Sequence, residues 1–541
     1  MRSWNSSLPK LAFQRPSILY VFLGIVLMAA IPMGIQQSGL FAPEPAQAYL
    51  NTFPTATPGT GGTGAWVLED VYPAYTFNSP MHMQEEPGSN RIMVAEKLGR
   101  IQAFDKTSNS GNKTTFLDLT DVDFGGESGL LCFAFHPQYA TDSPYCYVFY
   151  QYKPGGSRYT RVSRFELDNT GTALDPASEM VLIHEYDRAG NHNGGPLFFG
   201  ADGFLYIFIG DEGGSNNTYN NCQALNQRLF GGVLRIDVDR DPTQSHPILF
   251  QSTAGNGSFK ANYLIPNSNP WQDPTGNAHE EFVAIGLRNP HRASYDPPTG
   301  NIWIGDVGQV SREEVNVMTT LGANFQWAFK EASLNGPDAQ PGTVIGTSTP
   351  PIHEYAHASG NNCIVGGYVY RGAEHTDLQG KYIFADNGGK RVWAMELSAG
   401  PNPTAVQVDQ LMTLPFGASY FSISAFSTDA NGELYVIRMN GNASPGGKIY
   451  KLDRQNPGAP EPPALLSNAN IFQTITPTTL TPEDYLIPYD LNQPFWSDGA
   501  LKYRWLVIPN DGTHDTPAEK INYTNKGDWD MPPGAVLVKH F

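Results

Sequence analysis

The chain is poor in charge, poor in sulfur and poorest in cations. Charged residues make up 16% of its 541 positions, too few for a fold built on long helices with solvated outer faces. Lys and Arg number 34 against 52 Asp and Glu, a formal net charge of -18. No basic stripe interrupts that balance, and it argues against a nucleic-acid partner, whose binding depends on cations displacing condensed counterions. An acidic surface also serves plain solubility. There are 4 cysteines, with neither zinc-ligand spacing nor a Cys-x-x-Cys-His motif, so no c-type haem attachment site lies in these residues.

Glycine and proline are plentiful, 55 and 43, and aromatics reach 12%. Many short strands joined by tight turns fit this composition, and we read an all-β protein. Two units recur. The first is a turn with Gly leading into a strand whose second or third position is aromatic: Asp202-Gly203-Phe204-Leu205-Tyr206-Ile207, Thr299-Gly300-Asn301-Ile302-Trp303-Ile304, Gln379-Gly380-Lys381-Tyr382-Ile383 and Asn431-Gly432-Glu433-Leu434-Tyr435-Val436. The second couples Gly to a basic residue and an apolar strand: Leu98-Gly99-Arg100-Ile101, Gly232-Val233-Leu234-Arg235-Ile236, Gly389-Lys390-Arg391-Val392 and Gly447-Lys448-Ile449-Tyr450. Hairpins at uneven intervals with long loops between them suit a β-propeller better than a solenoid, whose period is tighter.

At the N-terminus, Arg2, Lys10 and Arg15 precede an apolar run from Ile18 to Ile31 and the small-residue pattern Ala46-Gln47-Ala48. This reads as a secretory signal peptide over 1-48, or alternatively as an uncleaved N-terminal membrane anchor. Either reading makes the protein secreted or periplasmic. A linker over 49-64 leads to the repeats of 65-454. A Pro-rich linker over 455-463 then leads to a smaller, truncated C-terminal β unit over 464-541. That unit ends just after the apolar run Ala535 to Val538, the expectation being that the chain is a fragment. In an exported chain the cysteines admit a Cys132–Cys146 bridge between adjacent strands, or free buried thiols.

Two loops carry the candidate chemistry, Asn191-His192-Asn193-Gly194-Gly195 and Gly286-Leu287-Arg288-Asn289-Pro290. Each enters a strand, and loops held on a rigid sheet scaffold are where binding and catalytic groups concentrate. A neutral imidazole can act as a base near physiological pH, and an Arg is a permanent planar donor. The plain alternatives are a turn-capping histidine, an arginine that binds carbonyls between sheets, and a solvated acidic pair at Glu313-Glu314.

The repeat region resembles the glucose/sorbosone dehydrogenase family, which contains PQQ-dependent aldose sugar dehydrogenases and hedgehog-interacting-protein-like propellers. Five segments carry the resemblance in family order: Gly129-Leu130-Leu131 to His136-Pro137, Asn191 to Gly195, Gly286 to Pro290, Gly305-Asp306-Val307-Gly308-Gln309 with Glu313-Glu314-Val315-Asn316, and Gly366-Gly367-Tyr368-Val369-Tyr370-Arg371-Gly372. The implied fold is a six-bladed β-propeller. The implied function is that of an exported quinoprotein oxidising the anomeric hydroxyl of an aldose to the lactone, with hydride transfer to PQQ.

In that scheme His192 is the base, Glu313 the carboxylate that orients it and Arg288 the electrophile. Arg288, Asn289 and Arg371 hold PQQ; the carbonyls of Gly308 and Gln309 ligate a bridging Ca2+, and Glu314 a structural one. The tail from Leu465 resembles a segment of larger bacterial exported proteins, some with cytochrome c regions, which implies a cytochrome or quinone as electron acceptor. The chain departs from the pattern at Val307, in place of a polar amide, at Gln309, in place of Pro, and at Phe421 to Phe426, which lacks a cofactor-clamping arginine pair. A non-catalytic propeller binding a glycan or protein is therefore the alternative, and a lactonase-type metal hydrolase a third reading.

Overall fold

The computed structural model describes residues 64–251, 256–416 and 422–455, and short stretches beyond (472–475, 480–482, 486–489, 503–508, 521 and 536–540). The signal or anchor over 1-48 and nearly all of both linkers lie outside the described residues, as does Phe421. Among the described residues no helix is long and apolar enough to cross a membrane. The chain divides into two units. One comprises Ala65–Ala373 with Leu378–Asp453, and the other includes Arg454–Phe541.

The described residues of the larger unit are almost entirely strand and loop. Among its described residues are four sheets of four strands, one of five and one of six, each mostly antiparallel. The first strands of these sheets are Pro80–Glu85, Leu130–Phe135, Leu197–Phe199, Pro290–Asp296, Ile364–Val369 and Ala425–Thr428. Each touches the next, and the last touches the first. The sheets therefore stand radially, as a β-propeller.

Both sequence repeats map onto this plan. The Gly-aromatic unit supplies the second strand of a sheet, as in Leu205–Ile209, Asn301–Asp306, Tyr382–Asp386 and Leu434–Arg438. The Gly-basic unit supplies the third, as in Arg100–Asp105, Gly232–Ile236, Arg391–Leu397 and Lys448–Arg454. Second strands are covered on both faces by neighbouring sheets, and Leu205–Ile209 is accordingly buried at every position. Their aromatics fill the space between sheets: Trp303 stacks on Tyr382 of the next sheet with centroids 4.6 Å apart. Outermost strands such as Ala405–Thr413 have no buried residue, and their polar side chains protect an edge that could otherwise pair with another chain.

The strand Trp66–Glu69 completes the sheet built from the end of the repeat region by lying beside Lys448–Arg454. Trp66 and Leu452 join the same apolar cluster. The first strand of the unit is thus held by its last.

The cysteines are all free. Cys132 and Cys146 do lie on paired strands, but Cys132 faces Phe149 and Cys146 faces Phe135. That register separates the thiols by three positions along the strands, roughly 10 Å at strand spacing, so the bridge admitted by the sequence is not formed. The second unit contains two small sheets, one pairing Phe472–Ile475 with Leu480–Pro482 and one of three strands, Ile487–Pro488, Tyr503–Val507 and Val536–His540.

Candidate active site

His192 and Arg288 come together because both loops close on the same glycine. The strand Leu205–Ile209 ends at Gly210, where a Cβ would lie 2.1 Å from the His192 carbonyl oxygen and 2.8 Å from that of Arg288. Only a residue without a side chain allows both backbones to approach so closely. The turn before it also needs glycine. His192 itself has φ 56° and Gly194 φ 68°, and a Cβ on Gly194 would meet the Phe208 carbonyl at 2.7 Å.

The next residue, Asp211, organises the site. Its amide donates to the Arg288 carbonyl at 2.8 Å, and its Oδ1 lies 2.6 Å from His192 Nδ1. Trp327 Nε1 donates to Oδ2 at 2.9 Å, and the Gly213 amide to Oδ1 at 2.9 Å. An ionised carboxylate only accepts hydrogen bonds, so Nδ1 carries the imidazole proton and Nε2 is left as the basic nitrogen. Among the described residues Nδ1 is the ring nitrogen of His192 that is hydrogen-bonded.

Arg288 and Asn289 are fixed by a second carboxylate. Asp306 Oδ2 accepts the Arg288 amide at 3.0 Å, and its Oδ1 the Asn289 amide at 2.6 Å. Burial pushes the Asp306 carboxyl up to about 7, although both amides favour its ionised form. The Arg288 side chain donates through Nη1 to the carbonyls of Val307, at 2.9 Å, and Gly308, at 2.7 Å. Its guanidinium carbon lies 5.6 Å from the Trp327 ring centroid. Asn289 Oδ1 accepts from the Gly194 amide at 3.2 Å, tying one loop to the other. Glu127, from the loop before Leu130–Phe135, spans both: its Oε2 accepts from the His192 amide at 2.7 Å and from Asn289 Nδ2 at 3.1 Å. Beside it, Lys97 Nζ donates to the Gly126 carbonyl and to Asn442; burial pushes this ammonium down to about 8.

Other expected residues lie elsewhere. Glu313 does not orient His192: its Oε1 lies 2.5 Å from His357 Nε2, and its Oε2 accepts from the amides of Ile364, at 3.0 Å, and Gly308, at 3.3 Å. Arg371 is absent from the site. It forms a two-pronged pair with Asp296, at 2.9 and 2.7 Å, beyond the far ends of the strands Pro290–Asp296 and Ile364–Val369. Seven residues of strand place it about 20 Å from Arg288.

The groups expected to ligate calcium make other contacts in this structure. The Gly308 carbonyl is engaged by the Arg288 guanidinium. Glu314 accepts from the Ala332 amide at 2.6 Å and from Asn316 Nδ2 at 2.9 Å, and burial pushes it up to about 8. Gln309 pairs through its side chain with Asn216, at 2.6 and 2.8 Å. Among the described residues no group of three or more His, Cys, Asp or Glu is arranged to hold a metal. A donor suited to the reacting end of a quinone is present, since Arg288 Nε is buried without a partner beside Asn289 and the His192 loop.

Asp211 was missed by sequence reasoning although a signal was present. Ile207-Phe208-Ile209-Gly210-Asp211 and Ile302-Trp303-Ile304-Gly305-Asp306 are the same pattern. Each ends a second strand in an aspartate that fixes a functional loop.

The glucose/sorbosone dehydrogenase profile matches residues 77–259 and 258–450, the segment that holds all of these groups. The chain belongs to the glucose/sorbosone dehydrogenase family. It is 28% identical over 459 residues to the HIPL2 protein of Arabidopsis thaliana, covering 74% of this chain and 62% of that protein. It is 28% identical over 405 residues to the Hedgehog-interacting protein of Mus musculus, covering 69% and 51%. The match therefore spans between half and two thirds of these relatives' length. The structure of PQQ-bound aldose sugar dehydrogenase from Streptomyces coelicolor superposes with a TM-score of 0.50 at 19% identity, over 73% of this chain and 100% of that one. At that identity the likeness speaks for the fold alone. In this family member the histidine, arginine and asparagine of the two glycine-bracketed loops share one polar site, and Arg371 lies outside it.

Proposed function

We propose that the protein is an exported aldose dehydrogenase built on a six-bladed propeller, each sheet of four or more strands being one blade. The observation that carries this reading is the His192–Asp211 pair at 2.6 Å, set within the same polar site as Arg288 and Asn289. Asp211 holds the imidazole with Nδ1 protonated and favours the charged ring that forms when Nε2 takes the proton of a sugar's anomeric hydroxyl. Trp327 and the Gly213 amide fix the carboxylate, so the ring is oriented before substrate arrives. Arg288, whose Nε is buried without a partner, would supply a permanently charged donor where negative charge develops on an acceptor oxygen. PQQ, when bound, would accept the C1 hydride as the sugar becomes a lactone, and a cytochrome or quinone would then take up the electrons.

The test is dye-linked oxidation of a panel of aldoses by protein incubated with PQQ, with and without calcium. Turnover that disappears in His192→Ala supports the reading. Absence of turnover with every sugar, or full activity in the variant, defeats it.

A second reading is favoured by a separate observation. Arg371 is committed to Asp296, so the cation expected to hold the cofactor's far carboxylate is not available, and one of the relatives is named for interaction with a protein. On this view the propeller binds a glycan or protein without chemistry. Calorimetric titration with PQQ separates the two: submicromolar affinity favours the dehydrogenase, and no uptake favours the binding module.

A further inference from the structure

Beyond the dyad the molecule holds a second polar site. A cavity of about 710 Å³ is lined by residues from the first strands of all the radial sheets, a size in the range of small-molecule sites. It lies further along those strands than the dyad. His192 and Arg288 precede Leu197–Phe199 and Pro290–Asp296, whereas Phe198 and Arg292 line the cavity.

Arg292 is the unusual residue here. It is 7% exposed, yet none of its hydrogen bonds goes to a carboxylate. Nε donates to the Ser424 carbonyl at 2.9 Å, Nη1 to that of His291 at 2.9 Å and Nη2 to that of Met81 at 3.0 Å. A guanidinium has five N–H groups, so Nη1 and Nη2 each keep one. Burial pushes it down to about 10, which leaves it charged at neutral pH. Carbonyl dipoles offset part of a buried charge, but an anion offsets it fully.

Two further polar groups line the same cavity, the Tyr368 hydroxyl and the His82 ring. Both feel the charge of Arg292, and neither makes a hydrogen bond among the described residues. Burial holds the Tyr368 phenol well above its usual range, so it remains a donor. Burial and Arg292 push His82 down to about 3, so it remains neutral. The walls are aromatic, with Phe133, Phe198 and Phe426. Of the acidic residues at the lining, Glu85 pairs with Lys106 at 3.0 Å and Glu86 with Arg91 at 2.7 Å, while Asp429 accepts from the Asn431 and Glu433 amides of its own turn, both at 2.9 Å. Their presence disfavours a multiply charged anion more than a singly charged one.

We propose that this cavity binds a small organic monocarboxylate, its carboxylate on Arg292 and the Tyr368 hydroxyl and its apolar body against Phe133, Phe198 and Phe426. A planar fork facing a carboxylate is the geometry at which guanidinium groups bind best. This site is independent of the dehydrogenase reading, because none of its residues touches the dyad's hydrogen-bond network.

Calorimetric titration of the full chain with sodium benzoate tests it, with neutral benzamide and inorganic phosphate as controls. Benzoate is expected to bind saturably with a Kd at or below about 1 mM, at least about tenfold tighter than either control, as expected for a hydrogen-bonded buried charge pair. Tyr368→Phe should weaken benzoate about fivefold or more, and Arg292→Met should abolish binding. Arg288→Met, at the other site, should leave benzoate binding unchanged. Equal binding of benzoate and benzamide overturns the proposal, as does tighter binding of phosphate. Unchanged benzoate affinity in Tyr368→Phe overturns it even if Arg292→Met fails to fold, and so does loss of binding in Arg288→Met.

Discussion

Asp211 sits between two donors, His192 Nδ1 and Trp327 Nε1, and an amide in its place could accept from only one of them through oxygen. Asp211→Asn is therefore expected to lower kcat for aldose oxidation by about 10² to 10⁴ with little change in KM, because it removes the orientation and charge support of the base. Steady-state kinetics with the best aldose would check this. Glu313→Gln, by contrast, should change kcat by less than about threefold while lowering thermal stability, since Glu313 serves His357 and two amides. A large kcat loss there would return the orienting role to Glu313. His192, Arg288 and Asn289 were legible because glycines bracket their loops. Arg371 was not, because a period-two strand pattern reads the same from either end, and only the fold shows which end faces the dyad.

At the scale of the strand and its loop, Gly210 is the hinge of the site. Gly210→Ala places a methyl 2.1 Å from the His192 carbonyl. It should cost about 1–3 kcal/mol, measured by urea unfolding, and should reduce aldose turnover by separating the two loops. The strand Leu174–Asp187 ends in a carboxylate with a pH signature. Burial pushes Asp187 up to about 7, against hydrogen bonds from the Ala189 amide and Thr160. The folded state thus keeps this proton over a range where the unfolded chain, at about 3.9, has lost it. Stability from this group falls as pH rises from about 4 to about 7 and is level above. Asp187→Asn should flatten that part of the pH profile of unfolding midpoints; an unchanged slope would show that the carboxylate stays ionised. Strand identity was legible from the two repeats, but register was not: the offset of three that keeps Cys132 from Cys146 is set by the loop after Phe135, which closes with the His136 amide on the Tyr145 carbonyl, and hydrophobic pattern alone carries no mark of it.

For the whole molecule, the radial plan was legible because second and third strands recur with the same glycine and aromatic signals. The seal was not, since Trp66–Glu69 lies almost four hundred residues before its neighbour Lys448–Arg454, and no local signal links them. Trp66→Ala should lower stability by about 3 kcal/mol and open the seam, which hydrogen exchange would detect as faster exchange in Lys448–Arg454. Uniform slowing or no change there would show that the seal is not the weak point. The seal also sets a timetable. A chain made from its N-terminus exposes Trp66 and Leu68 first and their final neighbour much later, so the ring cannot close before Lys448–Arg454 has been made. Throughout that interval these side chains must be covered by water, by a chaperone or by a neighbouring chain, and a second copy stalled at the same stage offers the same edge.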